Sequence, residues 1–205
     1  MIVNPEIEKY LESLHRFNDP VLEKMEELAK ELNFPIVGKQ VGMFLYILTK
    51  QKKPSLVVEL GSGFGYSGYW FAKGLDRGLV ALIDYKEENI NKAKEFFKEA
   101  GIQNRALFFT GDAVEVARQF QDIDILFLDL EKSRYLEAVE KLKNNLSEDA
   151  LIIADNVLWH GKVVDENPDN KTKSIKEFNE YMFRNFNSVI LPIRDGVLLA
   201  MKKSI

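Results

Sequence analysis

The sequence predicts an α/β fold: a seven-stranded, mostly parallel sheet with helices on both faces, a helical N-terminal part before it and an antiparallel strand at the end. Three observations predict it. From Ser55 onward, five short apolar runs alternate with stretches of helical length. Those runs are apolar at successive positions, as strands covered on both faces by helices must be. The tail breaks the pattern: two further runs flank Arg194-Asp195-Gly196, and Asp-Gly between apolar runs is a hairpin signal.

The elements follow in order. Asn4-Pro5 opens a first helix, Asn as cap and Pro at the first helical position, with Ile7, Tyr10, Leu11, Leu14 and Phe17 at helical spacing. Asp19-Pro20 repeats the start signal before Val21, Leu22, Met25, Leu28, Ala29 and Leu32. A third helix carries Val41, Phe44, Leu45 and Leu48, and Pro54 closes this part. The five runs are LVVEL (Leu56 to Leu60), LVALI (Leu79 to Ile83), ALFF (Ala106 to Phe109), DILFL (Asp124 to Leu128) and ALIIA (Ala150 to Ala154). The amphipathic stretch Glu87 to Ala100 ends at Gly101, a helix-stop residue. SVILPI and GVLLAM make the last two strands. One domain over residues 1–205 is expected, with 1–54 helical and 55–205 as the α/β core.

Composition excludes several classes. The 205 residues suit one domain with a full core. There is no cysteine, so neither a disulfide framework nor thiolate chemistry is available. No apolar stretch approaches the length of a membrane span, and Met1-Ile2-Val3-Asn4-Pro5 lacks the charged start of a signal peptide, so no membrane association and a cytoplasmic location are expected. A net charge of −4 gives no overall attraction for a polyanion, although a local basic patch remains open.

Each run of the parallel set has an acid at or just past its carboxyl end: Glu59, Asp84, Asp112, Asp129 and Asp155. In open α/β sheets, ligands bind in the crevice outside those ends. One such acid is commonly a helix cap; five on one edge favour a ligand site, and their summed charge demands donors or a cation. Donors are suggested by ELGSGFGYSG (Glu59 to Gly68), where glycines let the backbone approach a ligand between a strand and the next helix. Gly63 to Gly68 also satisfies the dinucleotide pattern G-x-G-x-x-G, with Asp84 suitably placed for a ribose, so an NAD-dependent oxidoreductase is an alternative. Against it stand the preceding helical part, Glu59 inside the turn and the oxygen cluster described next.

Asp129, Asp155 and Asn156 end two neighbouring runs, and neighbouring strand ends lie about 5 Å apart. An all-oxygen set without Cys or His suits Mg²⁺, Mn²⁺ or Ca²⁺ rather than zinc. Lys132, three residues past Asp129, can reach the crevice and serve there as a general base. His160 is close enough in sequence to face the site, though a lone histidine is more often a surface or packing residue.

These residues resemble those of the metal-dependent O-methyltransferases of the caffeoyl-CoA and catechol type, which use S-adenosylmethionine. The resemblance runs from about Phe34 to Lys203. VVELGSGFGYSG resembles the family's cofactor loop, DLEKSRY its Asp-x-x-Lys-x-x-Tyr, ADNVLWHGKVV its Asp-Asn-x-Leu-Trp-x-Gly-x-Val, and LPIRDGVLLAMKK its closing hairpin. It implies a Rossmann-like class I methyltransferase fold, with Asp129, Asp155 and Asn156 on the metal and Lys132 as the base. It further implies Glu59, Gly61 and Ser67 along the methionine part of the cofactor, Asp84 on the ribose, Asp112-Ala113 at the adenine, and Val37 where relatives close over the cofactor. Leu130-Glu131 and Tyr85-Lys86 depart from the family's common residues without touching a proposed ligand. A homodimer is implied as well. ELNFPIVGKQVGMFLYIL is similar to the bacterial branch that methylates 5-hydroxyuridine in tRNA, whereas NVLWHG is closer to the plant branch. Both acceptors, a small catechol or the tRNA nucleoside, present a hydroxyl beside a second oxygen. A non-catalytic cofactor-binding module is the third alternative, disfavoured by the complete acid, amide and lysine set.

Overall fold

The computed structural model describes residues 2–203; Met1, Ser204 and Ile205 lie outside the described residues. Helix α1 covers Pro5–Leu14, α2 Pro20–Glu31 and α3 Gly38–Lys52. The Asn4 side chain accepts from the N–H of Glu6 at 2.9 Å, and Asp19 Oδ1 accepts from Val21 and Leu22, so both cap signals act as expected. Phe17 falls outside α1, which ends at Leu14 because His15 is extended. Its ring instead stacks 5.0 Å from that of Trp70. Helical spacing on α1 also does not mean burial: Ile7, Tyr10 and Leu14 are 51, 61 and 53 % exposed.

Seven strands form one sheet: β1 Leu56–Leu60, β2 Leu79–Asp84, β3 Ala106–Thr110, β4 Ile123–Leu128, β5 Leu146–Ala154, β6 Phe186–Leu191 and β7 Val197–Lys202. Their spatial order is β3-β2-β1-β4-β5-β7-β6. The first five are parallel, and β7 runs antiparallel to both of its neighbours. Strand β5 begins four residues before the apolar run suggests, at Leu146 rather than Ala150. A register shift opposite Ile123/Ile125 absorbs Ser147, Glu148 and Asp149 at the strand's outer end. The Asp195-Gly196 turn is longer than the expected tight hairpin: residues 192–196 connect β6 to β7, with Arg194 at φ 50°.

Helix α4 (Tyr66–Gly74) follows β1, α5 (Glu87–Glu99) follows β2, α6 (Ala113–Ala117) follows β3, α7 (Tyr135–Leu142) follows β4 and α8 (Asn170–Asn185) follows β5. Two cores result, one on each face. Residues of α2, α3, α4 and α5 cover one; residues of α6, α7 and α8 cover the other. The N-terminal helices thus share a core with the sheet: Leu22, Met25, Val41 and Leu45 bury beside Trp70 and Phe71. Each large side chain buried this way contributes about 1.5–3 kcal/mol. Gly42 makes the α3–α4 approach possible, because a β-carbon there would overlap the Trp70 indole. None of the described helices is long and apolar enough to cross a membrane.

The chain crosses from β3 at one edge to β4 beside β1, so the strand order reverses between β1 and β4. A crevice at the carboxyl ends is the geometric consequence of that reversal.

Candidate active site

A cavity of about 870 Å³ opens at those carboxyl ends. Asp84, Asp112, Asp129 and Asp155 line it, together with Val37, Gly61, Ser67, Ala113, Lys132 and Asn156. The sheet's register brings the metal candidates together. Leu128 pairs with Ala154, so Asp129 and Asp155 leave adjacent strands at one level, and the N–H of Asp155 donates to Leu128 O at 3.1 Å. Asn156 adopts φ 58°, a left-handed conformation that asparagine tolerates better than most residues.

Lys132 sits in a short turn, Lys132–Arg134, between β4 and α7. Its ammonium donates to Asp129 Oδ1 at 3.0 Å and to Tyr135 Oη at 2.6 Å, and the residue is 9 % exposed. Tyr135 is wholly buried, and its hydroxyl faces two backbone acceptors, Leu128 O at 2.9 Å and Asp155 O at 3.0 Å. It therefore staples the β4 and β5 ends together while locating the lysine. The Asp-x-x-Lys-x-x-Tyr spacing carried this signal, although the sequence alone attached no task to Tyr135. Burial raises the carboxyl of Asp129 above its ordinary range, with Lys132 opposing. Burial, then the charge of Asp129, raises that of Asp155.

On the other half of the cavity, Asp84 is 5 % exposed and anchored at both oxygens. Oδ2 accepts from the N–H of Gly63 at 2.9 Å; Oδ1 accepts from Lys86 N at 2.9 Å and Asn89 Nδ2 at 3.0 Å. Gly61, at φ 87°, passes so close to the Asp129 backbone that any β-carbon would collide with its carbonyl. Ser67, in the first turn of α4, donates its hydroxyl to Glu59 Oε1. Glu59 itself stands one layer behind: it is fully buried and absent from the cavity wall, so it acts through Ser67 rather than lining the space. Asp112 also differs from the simple expectation. Its carboxylate caps α6, accepting from Val114 and Glu115 at 3.1 Å, and is gripped by Arg134.

A model of the O-methyltransferase family matches residues 12–203. The chain belongs to that family. The enzyme is 27 % identical to a catechol O-methyltransferase of Niastella koreensis, over 96 % of both chains. A methyltransferase structure from Geobacter sulfurreducens superposes with a TM-score of 0.87 at 33 % identity, covering 99 % of this chain and all of that one. An O-methyltransferase from Bacillus cereus, solved in complex with SAH, shares the fold at a TM-score of 0.87 and 24 % identity, with 97 % of each chain covered. The NAD-dependent alternative gains no support from these matches.

His160 lines the cavity, as its sequence position allows, while the site places of Trp159 and Asp195 escaped the sequence. Trp159 and His160 both adopt positive φ, and the N–H of His160 donates to Asp195 Oδ1. Asp195 O and Gly196 O accept from Leu158 and Val157, so the β6–β7 turn holds the strained segment after Asn156. Asp195, read as a hairpin residue, thus reaches the site. Arg194, its neighbour, donates to Ile36 O at 2.8 Å and ties the segment before α3 to that turn.

Glu59 yields a stability prediction. Burial pushes its carboxyl up to about 8, against the opposing Ser67 hydrogen bond, and Oε2 has no partner among the described residues. A folded pKa above the ordinary value of 4.5 means that stability is fullest below that pH and is lost as pH rises to about 8. Glu59→Gln is expected to raise Tm by about 5 °C or more at pH 9, with the gain shrinking towards zero near pH 4.5. Melting curves at a series of pH values check this; a gain that does not change with pH would contradict it.

Proposed function

We propose that the enzyme transfers a methyl group from S-adenosylmethionine to a hydroxyl lying beside a second oxygen, using a divalent cation held by Asp129, Asp155 and Asn156. One juxtaposition carries the reading: Lys132 Nζ is 3.0 Å from Asp129 Oδ1, on a strand end in register with Asp155. Among the described residues no group of three or more His, Cys, Asp or Glu side chains forms a metal cluster, so the donor set would be two carboxylates and one amide. That set fits a hard cation such as Mg²⁺. Burial raises both carboxyls, and the charge of Asp129 raises Asp155 further, against the opposing charges of Lys132 and Arg194. When bound, the ion would lower the pKa of an acceptor hydroxyl and fix its direction.

The chain's own residues do the rest. As the neutral amine, after giving up one proton to solvent, Lys132 would take the hydroxyl proton at Nζ and become the ammonium, its place set by Asp129 and Tyr135. Asp84 offers carboxylate oxygens to a ribose diol, Gly61 and Ser67 border the methionine part with Glu59 behind, and Val37 closes over it. Orientation of donor and acceptor supplies most of the rate.

The acceptor side favours a small catechol over tRNA. A second cavity of about 960 Å³ adjoins Asp155 and Asn156 beneath α1 and α2. Its wall holds more carboxylates, among them Glu8, Glu12 and Asp195, than cations, of which Lys30, Lys39 and Arg194 are the set. Such a wall repels a phosphate backbone. The relative named as a catechol O-methyltransferase agrees with it. The homodimer remains part of the proposal, with the exposed Ile7, Tyr10 and Leu14 face of α1 as apolar surface to cover; sedimentation at twice the monomer mass checks it.

Labelled S-adenosylmethionine, with and without Mg²⁺, is to be offered a catechol panel and tRNA carrying unmethylated 5-hydroxyuridine. Label is expected on catechols only, and only with Mg²⁺. Full transfer in excess chelator would remove the metal, and label on tRNA alone would reverse the choice of acceptor.

A further inference from the structure

Arg134 lies at the end of the cavity remote from the acceptor side. Its NH1 donates to Asp112 Oδ2 at 2.7 Å and NH2 to Asp112 Oδ1 at 3.1 Å, while Nε donates to Glu137 Oε2 at 3.0 Å. Asp112 follows β3, and Arg134 follows β4. Two strands, β2 and β1, separate them in the sheet, so the pair spans the cavity's end like a strap. Both residues line the cavity beside Asp84 and Ala113.

All three named bonds are N–H bonds made in the guanidinium plane, so they hold the plane without using its faces. Oδ1 of Asp112 is crowded, accepting from Val114 and Glu115 as well as Arg134, and Oδ2 accepts from Arg134 too. An acid expected to meet the adenine is therefore occupied in fixing an arginine. A planar cation fixed by in-plane bonds at the edge of a cavity is suited to stacking on an aromatic ligand.

We propose that Arg134 is a cofactor-binding residue that stacks its guanidinium face on the purine of the methyl donor, with Asp112 and Glu137 as the residues that position it. The proposal rests on the S-adenosylmethionine reading above. It makes Arg134 a determinant of donor affinity through the face of the base rather than its edge.

Calorimetry tests this with S-adenosylhomocysteine and with its analogue carrying hypoxanthine in place of adenine, which keeps the ring face and changes the edge. Arg134→Ala is expected to weaken both ligands by a similar factor, about three- to tenfold. Arg134→Lys keeps an ion pair with Asp112 but not the plane, and is expected to stay within about twofold of the alanine variant. Unchanged affinity in Arg134→Ala would overturn the proposal. So would full recovery by lysine, which would mean that the ion pair serves only the fold, or a loss confined to the adenine ligand, which would mean edge recognition. Wild-type protein that binds neither ligand would take down the methyl-donor reading itself, a different result from unchanged affinity in the variant.

Discussion

Asp155→Asn is expected to lower methyl transfer by about three orders of magnitude or more while leaving a folded and, at neutral pH, more stable protein. The loss follows from the several kcal/mol that the proposed chelating ion would supply to such a transfer, each 1.36 kcal/mol being about tenfold in rate. The gain in stability follows from the apo site. Asp155 is 4 % exposed, and burial followed by the charge of Asp129 raises its carboxyl from 3.8 to about 7. With the folded value above the unfolded one, stability is complete below about pH 4 and is lost as pH rises to about 7. The asparagine variant lacks that slope. Metal-free melting curves should therefore separate the two proteins at pH 8 and bring them together near pH 4. Mn²⁺ at a hundredfold excess over its Kd should stabilise wild type by about 2.7 kcal/mol and the variant much less. Equal metal-induced shifts in the two proteins, or retained activity in the variant, would dismiss Asp155 as a ligand.

Lys132→Ala is expected to separate proton transfer from metal binding. Removing a general base costs about 10²–10⁴ in kcat. The carboxylate of Asp129 loses its ammonium partner in this variant, so its affinity for a cation should hold or rise. The Tyr135 hydroxyl still bridges Leu128 O and Asp155 O, which keeps the strand ends in place. The expected profile is thus a collapse in kcat beside intact Mn²⁺ binding by calorimetry, the reverse of the Asp155 variant on the binding axis. A kcat within tenfold of wild type would show that another group, or solvent, takes the proton.

Much of the site was legible because a parallel sheet makes its sequence legible. Strands covered on both faces must be apolar throughout, so the first polar residue after each run marks the sheet's carboxyl edge. That is why Asp84, Asp112, Asp129 and Asp155 could be collected from runs far apart in the chain, and why the structure places all four on one cavity. The same logic located Lys132, since a residue three places past a strand end is still in the loop that borders the crevice. Cap chemistry was equally local: Asn4-Pro5 and Asp19-Pro20 start helices because their side chains satisfy N–H groups two or three residues on.

The sequence by itself determined the alternation of strands and helices, the helical N-terminal part and the edge on which the acids gather, all consequences of burial patterns within a few residues of each other. Only the tertiary structure decided which acids are free to act. Glu59 is buried behind Ser67, Asp112 is taken by an arginine 22 residues away, and Asp195 is drawn from a turn into the site by the backbone of residues 157–160. It also decided that Leu128 faces Ala154, on which the metal proposal depends, and that Arg194 holds Ile36 across 158 positions. Periodicity records whether a side chain is covered; which distant group covers it is settled by how the layers pack, and packing partners leave no mark in local spacing.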